Sequence, residues 1–205
     1  MTTKGALVLF LGSLVFAFGV FVLNLSAARP NISGAALYIQ TSTGHGSGVH
    51  IGNGYIITAQ HVIGADKAST ILVKTDDGRI LSPEIMWANQ DADVALLHVA
   101  GDGIAVRQIE CRDPKVGDII TTYGSPLDLT FQAFTGRISG AIAKQSILGY
   151  VQPYDITFAP GMSGGGVIDA NGRLVGIARA TAGGGLAIGL GVPGSTICLL
   201  MGMAR

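Results

Sequence analysis

Charged residues are scarce in this chain and the two signs cancel: 13 Lys and Arg stand against 13 Asp and Glu in 205 residues. No basic run and no cluster of stacking aromatics is present, and aromatic residues make up only 6%. Nucleic acid is therefore excluded as an expected partner, because it demands a concentrated positive footprint. Cysteine is nearly missing too. Cys111 and Cys198 have no metal-ligand spacing, so neither a metal nor a cofactor is expected. We read them as two buried thiols, with a disulfide as the alternative that an exported domain permits. No internal repeat is legible, and the glycines follow no fixed period, which excludes a collagen-like chain.

Glycine is what the chain has in excess: 31 of 205 residues, about twice the usual ~7%. These glycines punctuate short apolar runs, as expected of an all-β domain with many tight turns. The other abundance is local. Residues 5–25 read "GALVLFLGSLVFAFGVFVLNL", with no charge and only Ser13 and Asn24 as polar side chains. As a helix this stretch would span about 31 Å, close to the ~30 Å of a hydrocarbon core. Its length favours a membrane anchor over residues 1–28, with a transmembrane helix at 5–25 and the rest of the chain on the exported side. A cleaved signal peptide ending near "SAA" (Ser26–Ala28), leaving a secreted or periplasmic protein, is the alternative. A linker follows at 29–34.

From residue 35 onward, runs of strand length recur between glycine-bearing turns. One series covers residues 35–41, 48–51, 55–58, 70–75, 80–87 and 94–99. A second covers 118–123, 131–138, 156–158, 165–169, 173–178 and 186–190. About twelve short strands suit a sandwich or barrels. Residues 193–203 open on a proline and continue apolar, which predicts a short C-terminal helix.

Three stretches carry chemistry. "GSGVHIGNGYIITAQHVIG" (Gly46–Gly64) is two strands joined by a turn, leaving His61 just past a strand end, where rigid scaffolds hold reactive groups. In "DADVALLHV" (Asp91–Val99), Asp93 directly precedes an apolar run, so its carboxylate sits at the edge of a core and needs a partner such as a histidine N–H. Asp91 fits a solvated turn better. In "PGMSGGG" (Pro160–Gly166) a single serine, Ser163, lies among glycines. A serine hydroxyl needs a base to become a nucleophile, histidine serves near neutral pH, and a carboxylate fixes the imidazole tautomer. A glycine-rich turn lets the backbone N–H groups of Gly161 and Ser163 converge on a developing oxyanion. His45, His50 and His98 form no ligand cluster and read as structural or exposed.

These three blocks, in the order His61, Asp93, Ser163, resemble the signature blocks of trypsin-like serine proteases. They are most similar to HtrA-type bacterial proteases, as is "VGDIITTYGSPLDLTFQAFTGRISG" (Val116–Gly140). The resemblance covers most of residues 35–193 and assigns 35–205 to one protease domain. It implies two six-stranded antiparallel β-barrels of the chymotrypsin-like fold, near 35–105 and 115–192, with the active site between them. It also implies hydrolysis of a polypeptide substrate through an acyl-enzyme. The catalytic residues would be His61, Asp93 and Ser163, and the oxyanion hole the loop Gly161, Met162, Ser163. Thr157 would lie near the base of the primary pocket, with Ala178, Arg179 and Ala180 along the substrate strand and Gly185 in the opposite wall. These residues are uncharged apart from Arg179, which is expected to point to solvent, so a small or aliphatic P1 residue is expected.

The chain departs from the pattern at Met162, where an Asp or Asn is usual, at Gly166 and at Gln60. Met162 cannot form the ion pair by which trypsin is switched on, so no activation of that kind is expected. No PDZ-like domain is expected after residue 205. A peptide-binding protein without catalysis and a small-ester hydrolase are the competing readings. The complete set of three reactive groups argues against the first.

Overall fold

The computed structural model describes residues 33–101, 103–183 and 187–203. Within these the chain is built almost wholly of strands. The first half contributes β1 (Ala36–Gln40), β2 (His45–Gly52), β3 (Tyr55–Thr58), β4 (Leu72–Thr75), β5 (Ile80–Leu81), β6 (Glu84–Asn89) and β7 (Val94–His98). A single helical turn, α1 (Gln60–Ile63), follows β3. The second half contributes β8 (Ile119–Gly124), β9 (Gln132–Arg137), β10 (Ala143–Gln145), β11 (Gly149–Tyr154), β12 (Gly166–Asp169), β13 (Leu174–Thr181) and β14 (Gly189–Pro193). The helix α2 (Gly194–Leu200) closes the described chain.

The two halves form two antiparallel sheets of seven strands, in the orders β5-β4-β1-β2-β3-β7-β6 and β10-β11-β14-β13-β12-β8-β9. This corrects the expectation of two closed six-stranded barrels. Each order runs from one edge strand to another; no ladder joins the two ends, and only an isolated bridge, Ile138↔Tyr154, links the residue after β9 to β11 in the second sheet. The extra strands have local causes. The run 80–87 is cut at Ser82–Pro83 into β5 and β6, because proline has no N–H for the ladder. The hairpin β10–β11 replaces the expected strand at 156–158, which is not a strand. Its first strand is exposed throughout, and Pro153 lies in its second, so neither shows apolar alternation.

Strand residues alternate between two interiors. In β3, Ile56 packs with Leu37, Ile39, Val73 and Leu97 inside the first sheet, while Ile57 faces the other way. Ile57 joins Val49, Val94 and Leu96 against Ile168, Leu174, Ile177 and Val192 of the second sheet, with Ile197 and Cys198 of α2. Every second side chain changes face, and β7, buried on both faces, reads as the unbroken apolar run Val94–Leu97. A third cluster, with Ile120, Tyr154, Phe158, Met162 and Val175, fills the second sheet. The shared core between the sheets fixes them side by side, and the loops carrying His61, Asp93 and Ser163 come together beside it.

Two further expectations are corrected. Cys111 and Cys198 are not thiols but a disulfide, with Cα atoms 5.7 Å apart. It ties the segment before β8 to α2. The transmembrane helix expected at 5–25 lies outside the described residues, and among those described no helix is long and apolar enough to cross a membrane. The longest, α2, has seven residues, about 10 Å of rise against a core of ~30 Å. No spanning helix is therefore found among the described residues, and the membrane partner and anchored localisation inferred from one are withdrawn.

Candidate active site

His61 sits in α1, the one turn of helix that ends β3, with half of its side chain exposed. Asp93 ends the turn before β7 and takes a left-handed backbone, φ 56°, which Asp tolerates better than most residues. The turn is set by Ala92 N–H donating to Asn89 Oδ1 at 2.9 Å and Asp93 N–H donating to the Gln90 carbonyl at 3.2 Å. The Asp93 side chain is 5% exposed. Its carboxylate faces His61 squarely: Nδ1 lies 2.9 Å from Oδ2 and 3.0 Å from Oδ1, and the His61 backbone N–H donates to Oδ1 at 2.9 Å. Nδ1 therefore carries the hydrogen and Nε2 is left as the basic nitrogen. Burial pushes the Asp93 carboxyl upward. The hydrogen bonds from His61 and the charges of His61 and Arg179 outweigh it and hold the group below the usual carboxylate range.

Ser163 follows a tight loop. Gly161 has φ 93° and Gly164 φ 81°, both in the region that favours glycine. A Cβ at Gly161 would collide with the Ser125 carbonyl and the His45 ring; at Gly164 it would collide with the Ser47 carbonyl. The Pro160 carbonyl accepts from Leu127 N–H at 3.1 Å. In a trans peptide this turns the Gly161 N–H to the opposite side. Neither the Gly161 nor the Ser163 N–H has an acceptor among the described residues, so both are free to bind an anion. The Met162 N–H is engaged by the Ala159 carbonyl at 3.0 Å. Met162 itself is buried in the second sheet's core, where its Sδ accepts from Ala159 N–H at 3.4 Å. Packing holds the position where a charge was missed.

The Ser163 hydroxyl donates to the Arg179 carbonyl at 3.2 Å rather than to His61. Such bonds are often loose or misaligned before substrate binds. Arg179 does not point to solvent as expected: its Nε lies 2.9 Å from Asp93 Oδ2. Ala178 is buried, and its backbone is spent on the nucleophile loop through Gly164 N–H and the Gly165 carbonyl, 2.8 Å each. Ala180 and Arg179 line a cleft of about 390 Å³ with Gln60, His61, Gln90, Asp93 and Leu148. Thr157 is exposed between the buried Ile156 and Phe158. Gly185 lies outside the described residues. No group of three or more His, Cys, Asp or Glu side chains among the described residues could hold a metal ion.

Ser47 was not singled out by the sequence. Its hydroxyl donates to the Gly161 carbonyl at 2.7 Å and accepts from Ser125 N–H at 3.0 Å, while its N–H donates to the Ser163 carbonyl at 2.8 Å. A buried strand of the first sheet thus pins the loop of the second. The only signal was a serine between two glycines in a strand.

The family model for the trypsin-like peptidase domain matches residues 46–177. A probable periplasmic serine endoprotease, DegP-like, from Halomonas elongata is 36% identical over 138 residues, covering 64% of this chain and 28% of its own length. The periplasmic pH-dependent serine endoprotease DegQ of Escherichia coli is 31% identical over 166 residues, covering 75% of this chain and 36% of its own. The chain thus spans about a third of the length of these curated relatives. The solved serine endoprotease from Yersinia pestis superposes with a TM-score of 0.72 at 26% identity, over 83% of this chain and 62% of that one. With His61 paired to the buried Asp93 beside a serine loop carrying two free N–H groups, the chain belongs to the trypsin-like peptidase domain family.

Proposed function

We propose that this domain is a serine endopeptidase in which Ser163 is the nucleophile, His61 the general base and acid, and Asp93 the orienting carboxylate. The observation that carries the reading is the Asp93 carboxylate within 2.9 Å of His61 Nδ1, which turns the other ring nitrogen, Nε2, to the role of proton acceptor. Ser163 Oγ attacks the scissile carbonyl and Nε2 takes its proton. The oxyanion is received by the N–H groups of Gly161 and Ser163. Collapse returns the proton to the leaving amine, and water then hydrolyses the acyl-enzyme by the reverse use of the same groups.

The substrate chain lies along the end of β13. Beyond Ala178, where the nucleophile loop takes the last backbone bonds, the edge at residues 179–181 is unpaired on the β12 side. An extended peptide adds there as a strand. Its N–H competes with the Ser163 hydroxyl for the Arg179 carbonyl and so frees the hydroxyl to turn to His61. The uncharged Thr157 and the glycine-bearing wall favour a small or aliphatic P1 residue. A cleavage profile dominated by Lys or Arg at P1 overturns that assignment. Relatives named as periplasmic and the disulfide, a bond that persists in oxidising compartments, support an exported location.

The test is labelling of the full chain with a fluorophosphonate probe, with Ser163→Ala as control. Label confined to the wild type is expected. Equal label in both, or none in either, refutes the nucleophile assignment. Casein set against small esters then tells peptidase from esterase.

A further inference from the structure

Arg179 stands in the bulge of β13, between the pairs Ala178↔Gly191 and Ala180↔Leu190. A bulge leaves its extra residue out of the ladder and re-aims its side chain. The Arg179 side chain turns inward and is only 9% exposed. Nε lies 2.9 Å from Asp93 Oδ2 as an ion pair, and Nη1 donates to the carbonyl of Leu148, in the turn that joins β10 to β11. One rigid guanidinium therefore spans from that turn to the carboxylate behind His61. The residue's main chain reaches the other end of the site, because its carbonyl accepts the Ser163 hydroxyl at 3.2 Å.

A carboxylate this buried needs every lone pair engaged and its charge matched. His61 supplies two donors to Asp93, its backbone N–H and Nδ1–H. Arg179 supplies the cation. The planar fork suits two acceptors at once, here Asp93 and Leu148, which a lysine ammonium does not match. We propose that Arg179 is a positioning residue: its guanidinium clamps the Asp93 carboxylate against His61 Nδ1 and anchors that pair to the β10–β11 turn. It touches no reacting atom through its side chain. It acts by holding Asp93, and through Asp93 the imidazole, in the geometry that the proton transfer needs. The proposal rests on the triad reading above.

The test uses the full chain with Arg179→Met, Arg179→Lys and Arg179→Ala. Arg179→Met is expected to lower kcat about 10–100-fold, by analogy with removal of a group that orients a metal-bound imidazole, with KM within about twofold. Arg179→Lys should recover only part of kcat, and added ethylguanidinium should rescue Arg179→Ala but not the wild type. A folded Arg179→Met with wild-type kcat, or a loss confined to KM, overturns the proposal. If Arg179→Met does not fold, Arg179→Lys decides, since wild-type kcat there excludes a role for the two-pronged clamp. A readout independent of turnover is the downfield proton signal of His61 Nδ1–H in the resting protein. It should move or broaden in Arg179→Met and Arg179→Ala, and an unchanged signal overturns the clamp. Ser163 labelling of the wild type separates the two readings. Without it the triad assignment fails, and the imidazole signal still decides Arg179.

Discussion

Asp93 combines a left-handed backbone, nearly complete burial, two donors from His61 and an ion pair with Arg179. These partners hold its carboxyl below the ordinary range despite its burial. A depressed carboxyl contributes stability above the unfolded value of about 3.9, and that contribution is lost as pH falls through the folded value. Denaturant melts of wild type and Asp93→Asn should therefore converge as pH drops below about 4, and a gap that widens in acid contradicts this. In turnover, Asp93→Asn should cost about 10⁴-fold in kcat, because the amide favours the wrong imidazole tautomer. Gly161 is as tightly constrained by shape. Gly161→Ala places a methyl against the Ser125 carbonyl and the His45 ring, so the loop must shift and the oxyanion donors with it. Loss of about 10²-fold or more in probe labelling is expected, and a wild-type labelling rate excludes that N–H as a donor. Sequence reasoning reached Asp93 and Gly161 but sent Arg179 outward, as arginines usually go. A buried anion recruits it inward instead.

The second sheet holds the elements least visible in sequence. The β10–β11 hairpin lacks alternation, and Pro153 interrupts it, yet β11 pairs with β14 and buries Tyr154 completely. Gly176 and Gly191 make room for that ring: a Cβ at either would meet Tyr154 atoms at 2.8 Å. The Tyr154 hydroxyl is buried with no hydrogen-bond partner among the described residues, and burial pushes its pKa upward. A buried hydroxyl without a partner destabilises the fold. Tyr154→Phe should therefore leave the melting temperature unchanged or raise stability by up to about 1 kcal/mol. A clear fall in thermal melts would show that the hydroxyl has a partner. Glycine pairs that flank one tyrosine across two strands follow no local pattern, so they read in sequence only as turn residues.

The two sheets are held together by the apolar core between them and by Ser47 reaching 114 residues along the chain to Gly161, while the disulfide, closing a separation of 87 residues, ties the segment before β8 to α2. Loop-closure entropy assigns a bridge of that span about 4–5 kcal/mol. The variant with both Cys111 and Cys198 replaced by Ser should melt lower by about 10 °C or more. A smaller shift would mean that the core alone carries the docking of α2. Because the Ser163 loop belongs to one sheet and His61 to the other, labelling of Ser163 should fall in step with this loss of stability.

Residue chemistry and local context single out His61, Asp93 and Ser163 as the candidate reactive groups. Acyl transfer demands those side chains, and each sits where a short-range pattern shows it: past a strand end, before an apolar run, and inside a glycine turn. The all-β class was legible for the same reason, since alternation and turn glycines are local. The seven-stranded open sheets, the disulfide, the Ser47 pin and the inward Arg179 came only with the folded chain. Each depends on which distant groups meet, and burial in a shared interior, rather than local preference, decides that.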